Sequence, residues 1–283
     1  MASGMKASQI DLEKITFSGV KTLDNGGKML FLNYNGGINP IYITLPEVEV
    51  PFDPLYFEDN ENSGKYTVKI SMKDLESNKE LEELHSKISE MDELLKKKAV
   101  ENSATWFKKP KMSADVINEL YTPMIKVSID SETGEPNGKW PDSFGFKIVK
   151  KDGVFPKFSI YDNKKNVFDV DGKTDNPVDL GNVLMKGTLI KAVLKCNGVW
   201  IANGKFGCTW RAEQIRAKLP EGGLRDFAIE SESDDEDEVI EEKPVMIEDS
   251  DEEEEEENVK ETEPEPKKKT RKLKVKKKVN DDQ

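Results

Sequence analysis

Short apolar-rich runs open the chain. Ile15, Phe17 and Val20, then Met29 to Tyr34, then Ile41 to Leu45 read as strands bounded by turn signals. Asn25-Gly26-Gly27 and Asn35-Gly36-Gly37 separate these runs, and Asn-Gly pairs suit the left-handed backbone of hairpin turns. Pro46, Pro51 and Pro54 then break the pattern, and a strand over Tyr66 to Met72 leads to Asp74, expected to cap a helix over residues 75 to 98. In that helix Leu81, Leu84, Ile88, Met91 and Leu95 recur in steps of three and four, so they share one face. The stripe covers about two heptads, less than a sustained coiled coil needs, so packing on the protein's own sheet is expected over a dimer seam. No special role is expected of His85 beside it.

A second helix is predicted over Ser113 to Tyr121, and strands return as Met124 to Ile129, Phe144 to Val149, Phe158 to Tyr161, Leu184 to Cys196 and Phe206 to Arg216. The fold class read from this order is mainly β. Strands, a helical insertion over about residues 74–121, then strands suit a small barrel with additional N-terminal strands. No repeat of solenoid or propeller length is visible.

Composition divides the 283 residues in two. The net charge of −13 is almost all in residues 230–283, which hold 23 acids, 11 bases and no aromatic residue. Such a segment cannot bury enough apolar surface to fold, so the expected domains are a body over 1–229 and a disordered tail over 230–283. The tail is acidic over 230–265 and basic over 267–278. No apolar run approaches the roughly 20 residues that span a bilayer, and Met1 to Ile10 lacks the basic and apolar regions of a signal peptide. Neither a membrane partner nor a secretory route is expected, and Cys196 and Cys208 are expected as buried thiols in a reducing compartment.

With one histidine and two cysteines, no spacing suggests a structural zinc site or a Cys/His catalytic pair. Asp169-Val170-Asp171-Gly172 lacks the spacing and terminal acid of a calcium loop and reads as a polar turn. No glycine-rich loop followed by Lys and Ser/Thr is present. No catalytic residue, metal ligand or cofactor is therefore expected.

The body itself is polarised. Residues 1–104 carry 18 acids and 12 bases, whereas residues 105–218 carry 13 acids, 19 bases and all four tryptophans, Trp106, Trp140, Trp200 and Trp210. Cations beside aromatics suit single-stranded nucleic acid: Lys and Arg neutralise phosphates while rings stack on bases, about 1–3 kcal/mol per stack. Trp106-Phe107-Lys108-Lys109-Pro110-Lys111 concentrates both groups in a segment between helices. Either its rings are exposed for stacking or Trp106 plugs the end of the barrel and the lysines only solvate the loop.

Strand alternation over 189–216 assigns faces. Ile190, Ala192, Leu194 and Cys196 oppose Lys191, Val193 and Lys195, and Phe206, Cys208, Trp210 and Ala212 oppose Lys205, Gly207, Thr209 and Arg211. One side is core-like and the other basic. Lys191, Lys195, Lys205 and Arg211 are thus candidate phosphate contacts, Phe206 and Trp210 candidate core. Trp200, placed near a hairpin tip between Asn197-Gly198 and Asn203-Gly204, is the candidate stacking ring.

Gly198-Val199-Trp200-Ile201-Ala202-Asn203-Gly204-Lys205-Phe206-Gly207-Cys208-Thr209-Trp210-Arg211-Ala212-Glu213-Gln214-Ile215 resembles the closing hairpin of the single-stranded-DNA-binding proteins of nucleocytoplasmic large DNA viruses. Thr16 to Asn35 and Trp106 to Ile125 add to the resemblance, which spans roughly residues 14 to 218. Those proteins are related to the replication proteins of short-tailed bacteriophages and share an OB-fold, a five-stranded barrel. The resemblance implies a non-enzymatic protein coating single strands in replication, recombination and repair, in the host nucleus or a cytoplasmic viral factory. It also implies an acidic C-terminus that competes with DNA and docks viral replication proteins. Here the pattern departs from the phage form, because the chain ends Asp281-Asp282-Gln283 after a basic block, with Phe227 its last aromatic. A rival reading is an acidic histone or protein chaperone that binds basic partners through the tail.

Overall fold

The computed structural model describes residues 4–23 and 26–220. The expected acidic and basic segments, and Asn25 of the first expected turn, lie outside the described residues. The N-terminal part holds strands β1 (Ile15–Phe17), β2 (Lys21–Thr22), β3 (Lys28–Leu30), β4 (Leu32–Tyr34), β5 (Tyr42–Thr44), β6 (Val48–Glu49), β7 (Leu55–Asn60) and β8 (Ser63–Ser71). Helices α1 (Lys79–Glu101), α2 (Ser103–Phe107) and α3 (Ala114–Leu120) follow. Then come β9 (Tyr121–Thr122), β10 (Ile125–Lys126), β11 (Ser143–Lys150), β12 (Ser159–Tyr161), the short helix α4 (Leu180–Val183), β13 (Leu189–Ala202) and β14 (Lys205–Lys218). The protein is mainly β, as its alternation predicts.

β1 pairs with β4, and the other strands join one sheet whose main path runs β2-β3-β13-β14-β11-β8-β7. The hairpin of β13 and β14 is its hub. Each arm is 14 residues long, so its free edge accepts several short strands in succession: β3, β5 and β6 on β13, and β9, β11 and β12 on β14. Asn203 (φ 52°) and Gly204 (φ 73°) close the hairpin, the left-handed pair that a two-residue turn requires.

The hairpin tip expected between Asn197-Gly198 and Asn203-Gly204 narrows to its second pair, so Trp200 lies within β13. Asn197 and Gly198 lie inside β13, where the register steps from Cys196↔Trp210 to Gly198↔Thr209 and leaves Asn197 without a partner. A second step, from Val193↔Gln214 to Leu194↔Ala212, leaves Glu213 unpaired on β14. Each bulge reverses the inward phase of its strand. Ile190, Ala192, Leu194 and Cys196 are buried before Asn197, and Val199 and Ile201 after it. On β14 the buried set changes from Phe206, Cys208, Trp210 and Ala212 to Ile215 and Ala217.

The helical stripe behaves as expected: Leu81, Leu84, Ile88, Met91 and Leu95 are buried in the protein's own core. The helix starts later than its sequence predicts, because Asp74 adopts φ 66° and closes a turn onto Ser77 and Asn78. Asn78 is the cap, its side chain accepting the Leu81 N–H at 3.1 Å. His85 is tied to Asp142 at 3.0 Å, an anchor between α1 and the approach to β11. Ser113 caps α3, accepting from the Val116 N–H at 3.4 Å.

Other departures have local causes. Met29 to Tyr34 divides at Phe31 because β3 pairs with β13 and β4 with β1, with Ser18 Oγ accepting the Phe31 N–H between them. Met124 to Ile129 shrinks to β10 because Asp130 folds the following segment into a turn, accepting from Glu132 and Thr133. The expected strand from Leu184 begins only at Leu189, after α4. β7 was not legible because all six of its residues are exposed, so no burial period marks it. The segment expected as a loop around Trp106 contains α2. The cysteines are free buried thiols, their sulfurs 3.5 Å apart. Asp169 accepts the Lys173 N–H and Gly172 has φ 68°, the expected polar turn.

Gly198 is the tightest point of the bulge. It has φ 107°, and a Cβ there would lie 2.3 Å from the Leu30 carbonyl oxygen, where β3 meets β13. Gly198→Ala is therefore expected to lose about 1–3 kcal/mol and shift the urea midpoint downward. An unchanged midpoint would show that β3 moves aside at no cost.

Candidate nucleic-acid interface

Residues directly opposite in a sheet project from the same face. The outer face of the hairpin carries Lys195 opposite Arg211, Arg211 opposite Lys147 of β11, and Lys195 opposite Tyr42 of β5. Tyr42, Lys195, Arg211 and Lys147 thus form one row across four strands. The row continues onto Thr67 and Leu55 of β8 and β7. The Lys195 ammonium sits 5.7 Å from the Tyr42 ring centre.

On one flank of this row lies a cleft of about 250 Å³ lined by Trp200, Thr209, Lys69, Lys126 and Lys147. Trp200 reaches it because the Asn197 bulge turns even-numbered positions outward. Gly207, opposite Trp200, keeps the strand beneath the ring bare: a Cβ there would lie 2.8 Å from the Thr122 carbonyl oxygen and 3.1 Å from Trp200 Cζ2. A second cavity, about 540 Å³, adjoins Lys195 and Arg211 and is lined by Lys21, Phe31, Ile38 and Asn197. Lys21 lies 5.2 Å from the centre of the Phe31 ring.

Three lysines of this face are held below their usual pKa. Burial pushes the Lys147 ammonium below its usual pKa, and Lys65 pushes it further. Lys126 is lowered by burial and by Lys69, against the pull of Asp92. Lys195 is lowered by burial and by Arg211, with Glu213 acting in the opposite sense. An anion bound among them would relieve the mutual repulsion of these groups. The bulge residue Glu213 supplies one such charge already, accepting from Arg211 Nη2 at 2.7 Å and lying 3.9 Å from Lys195. Arg211 Nε is buried with no hydrogen-bond partner among the described residues.

The cleft wall opposite Trp200 is held from within. Asp92 of α1, buried, accepts the Tyr121 hydroxyl proton and the Met124 N–H at 3.1 Å, and Trp210 Nε1–H points to Met124 Sδ at 3.1 Å. Thr122, Pro123 and Met124 are thereby fixed along the cleft.

Of the residues expected from sequence, Lys195, Arg211 and Trp200 come together on this face. Lys191 shares it further along the hairpin, opposite Arg216. The Trp106 segment does not join them. Trp106 is only 4% exposed and packs on Phe17 at 5.8 Å, which is the plug alternative. Phe107 is half-buried and edge-on to Phe206 at 5.2 Å. Lys108, Lys109 and Lys111 are exposed and line neither cavity, while Lys205 donates to the Glu119 carbonyl at 2.7 Å. Phe206 and Trp210 are core, as expected. Sequence reasoning missed Lys69, Lys126, Lys147 and Tyr42. Alternation in β8 and β11 would have placed Lys69 and Lys147 on the polar face, opposite Val68, Ile70, Phe146 and Ile148.

No family model matches the chain, and no curated protein matches it. Among solved structures it is similar to gp2.5, a single-stranded DNA binding protein encoded by bacteriophage T7, at 15% identity and TM-score 0.38, over 67% of this chain and 98% of that one. It is also similar to the single-stranded DNA-binding protein of bacteriophage Enc34, in complex with single-stranded DNA, at 10% identity and TM-score 0.38, over 72% of this chain and 96% of that one. At these values the likeness assigns no residue role or activity to this chain.

Burial, the largest influence on Asp92, raises its carboxyl pKa despite the Tyr121 and Met124 hydrogen bonds. A carboxyl held above its unfolded value favours the protonated folded state. Compared with Asp92→Asn, the native protein is therefore expected to gain stability as pH falls from neutral through the raised value, with the gain complete below the ordinary carboxylate range. Parallel urea curves for the two proteins across that range would contradict this.

Proposed function

We propose that this chain is a non-enzymatic single-stranded-DNA-binding protein whose body is an OB-fold, with the strand lying over the outer face of β13, β14, β11 and β8. One observation carries the reading: Lys195, Arg211 and Lys147 stand in a single cross-strand row, with Trp200 beside them on a bare glycine. Phosphates would neutralise the row while a base stacks on Trp200, a sequence-tolerant mode suited to single strands. The row follows from sheet register rather than from any one strand, and the sheet presents it as a surface.

The same proposal extends to the role implied by the sequence resemblance: coating strands in replication, recombination and repair of a large DNA virus, in the host nucleus or a cytoplasmic factory. In it the acidic segment 230–265 competes with DNA for the cation row and docks replication partners.

Titration of full-length protein with labelled oligo-dT at several salt concentrations tests the reading. Trp200→Ala is expected to weaken binding by about 1–3 kcal/mol without a change in thermal stability. Lys147→Ala and Arg211→Ala are each expected to flatten log affinity against log salt by about 0.7 for every phosphate they cease to neutralise. Glu213→Gln, which removes the internal competitor, is expected to tighten binding. If all four variants bind like the native protein, the face is not the site, and the rival chaperone reading through the tail gains.

A further inference from the structure

A third cavity, about 360 Å³, lies at the opposite end of the hairpin from Trp200. Its floor is built by two further cross-strand rows. Tyr161 of β12 is opposite Arg216, and Arg216 is opposite Lys191. Beside them Ser159 is opposite Gln214, Gln214 opposite Val193, and Val193 opposite Thr44 of β5. Ala192 and Ile215 complete an apolar base.

Lys165 approaches from a tight turn in which it adopts φ 68°. Asp162 also lines the cavity, but its carboxylate is engaged by its own turn, accepting from the Asn166 N–H at 2.8 Å and the Asn166 side-chain amide at 2.7 Å. Those bonds, the side-chain one foremost, hold its pKa down. Arg216 has an exposed partner, Glu47, at 3.4 Å, and Lys191 borders Glu80 and Glu83 on its other side. Arg216 and Lys191 in the floor and Lys165 beside it thus stand around one aromatic ring and an apolar base, the chemistry of a phosphate clamp beside a base platform.

We propose that this cavity is a second nucleotide subsite, in which a base stacks on Tyr161 while Arg216, Lys191 and Lys165 hold its phosphates. The inference rests on the proposed DNA face and gives it a direction and a length. Lys191 and Trp200 lie nine positions apart on β13, about 30 Å at roughly 3.3 Å per residue. A strand long enough to lie along the hairpin fills both ends, whereas a short one engages only the end at Trp200. Lys195 and Arg211 stand in one row between the two ends, so the connecting nucleotides pass a further pair of cations.

Full-length protein titrated with oligo-dT from about 4 to about 16 nucleotides tests this. Tyr161→Ala and Arg216→Ala are expected to weaken binding about five- to hundredfold on long oligomers and to leave the shortest unchanged. Tyr161→Phe, which keeps the ring, is expected to bind as the native protein does. Equal loss at every length, or no loss at any, overturns the subsite. Trp200→Ala and Lys147→Ala, run in parallel, separate the two proposals: if they weaken every length while the cavity variants do nothing, only the subsite falls. If none of the variants matters, the DNA face falls with it. Thymidine monophosphate supplies the remaining arm, because saturation that depends on Arg216 but leaves long oligo-dT bound would identify a free-nucleotide site and overturn the subsite on the strand.

Discussion

Two unpaired residues in one hairpin decide what the protein presents to its surroundings. Without the bulge at Asn197, β13 would keep one phase along its length, sending Trp200 into the core and Val199 and Ile201 into water. Without the bulge at Glu213, the same conflict would arise on β14 between Ala212 and Ile215. A β-bulge adds a residue and reverses inward and outward sides beyond it. Here the reversals let the apolar sequence at each end of the arms reach the interior while Lys191, Lys195 and Trp200 all stay on the outer face. The Lys195–Arg211 pair lies between the two reversals, in the stretch where both strands are in phase.

That geometry sets the electrostatics. Cations on neighbouring strands are brought close by hydrogen-bonded pairing, which side-chain repulsion cannot undo because the backbone ladder and the core beneath fix the spacing. The cost appears as depressed lysine pKa values, each traceable first to burial and then to another cation. Glu213 shows how an internal anion relieves such a site. The residue that creates one bulge also places a carboxylate between Arg211 and Lys195, so local backbone irregularity and charge compensation have a single origin.

Much of this was legible from residues alone. The period of two over 189–216 placed Lys191, Lys195 and Arg211 opposite a buried face, and steps of three and four identified the buried side of α1. Asn203-Gly204 was a genuine turn signal. Asn197-Gly198 was not, because the same pair can serve a bulge when another backbone, here that of Leu30, must approach closely. The row itself was illegible. It depends on β11 meeting β14 in parallel and β5 meeting β13, pairings between residues far apart in the chain that no local pattern encodes. Trp106 and its lysines left two readings open, because an aromatic-basic cluster compact in sequence does not say which way its ring points; here the ring packs inside, against Phe17.

The position of the hub near the end of the described chain has a consequence for how the molecule is made. β3, β5, β6, β9, β11 and β12 all precede β13 and β14, and each needs one of them as a neighbour. On a ribosome, β5, β6, β9 and β12, which pair with no other named strand, emerge with their partner still untranslated. Sheet closure must wait for residue 218, and until then the pairing open to the chain is β1–β4, β2–β3 and the β7-β8-β11-β10 set, beside α1. Assembly is therefore a late event dominated by distant contacts, the regime in which folding is slow and unfinished edges stay open longest.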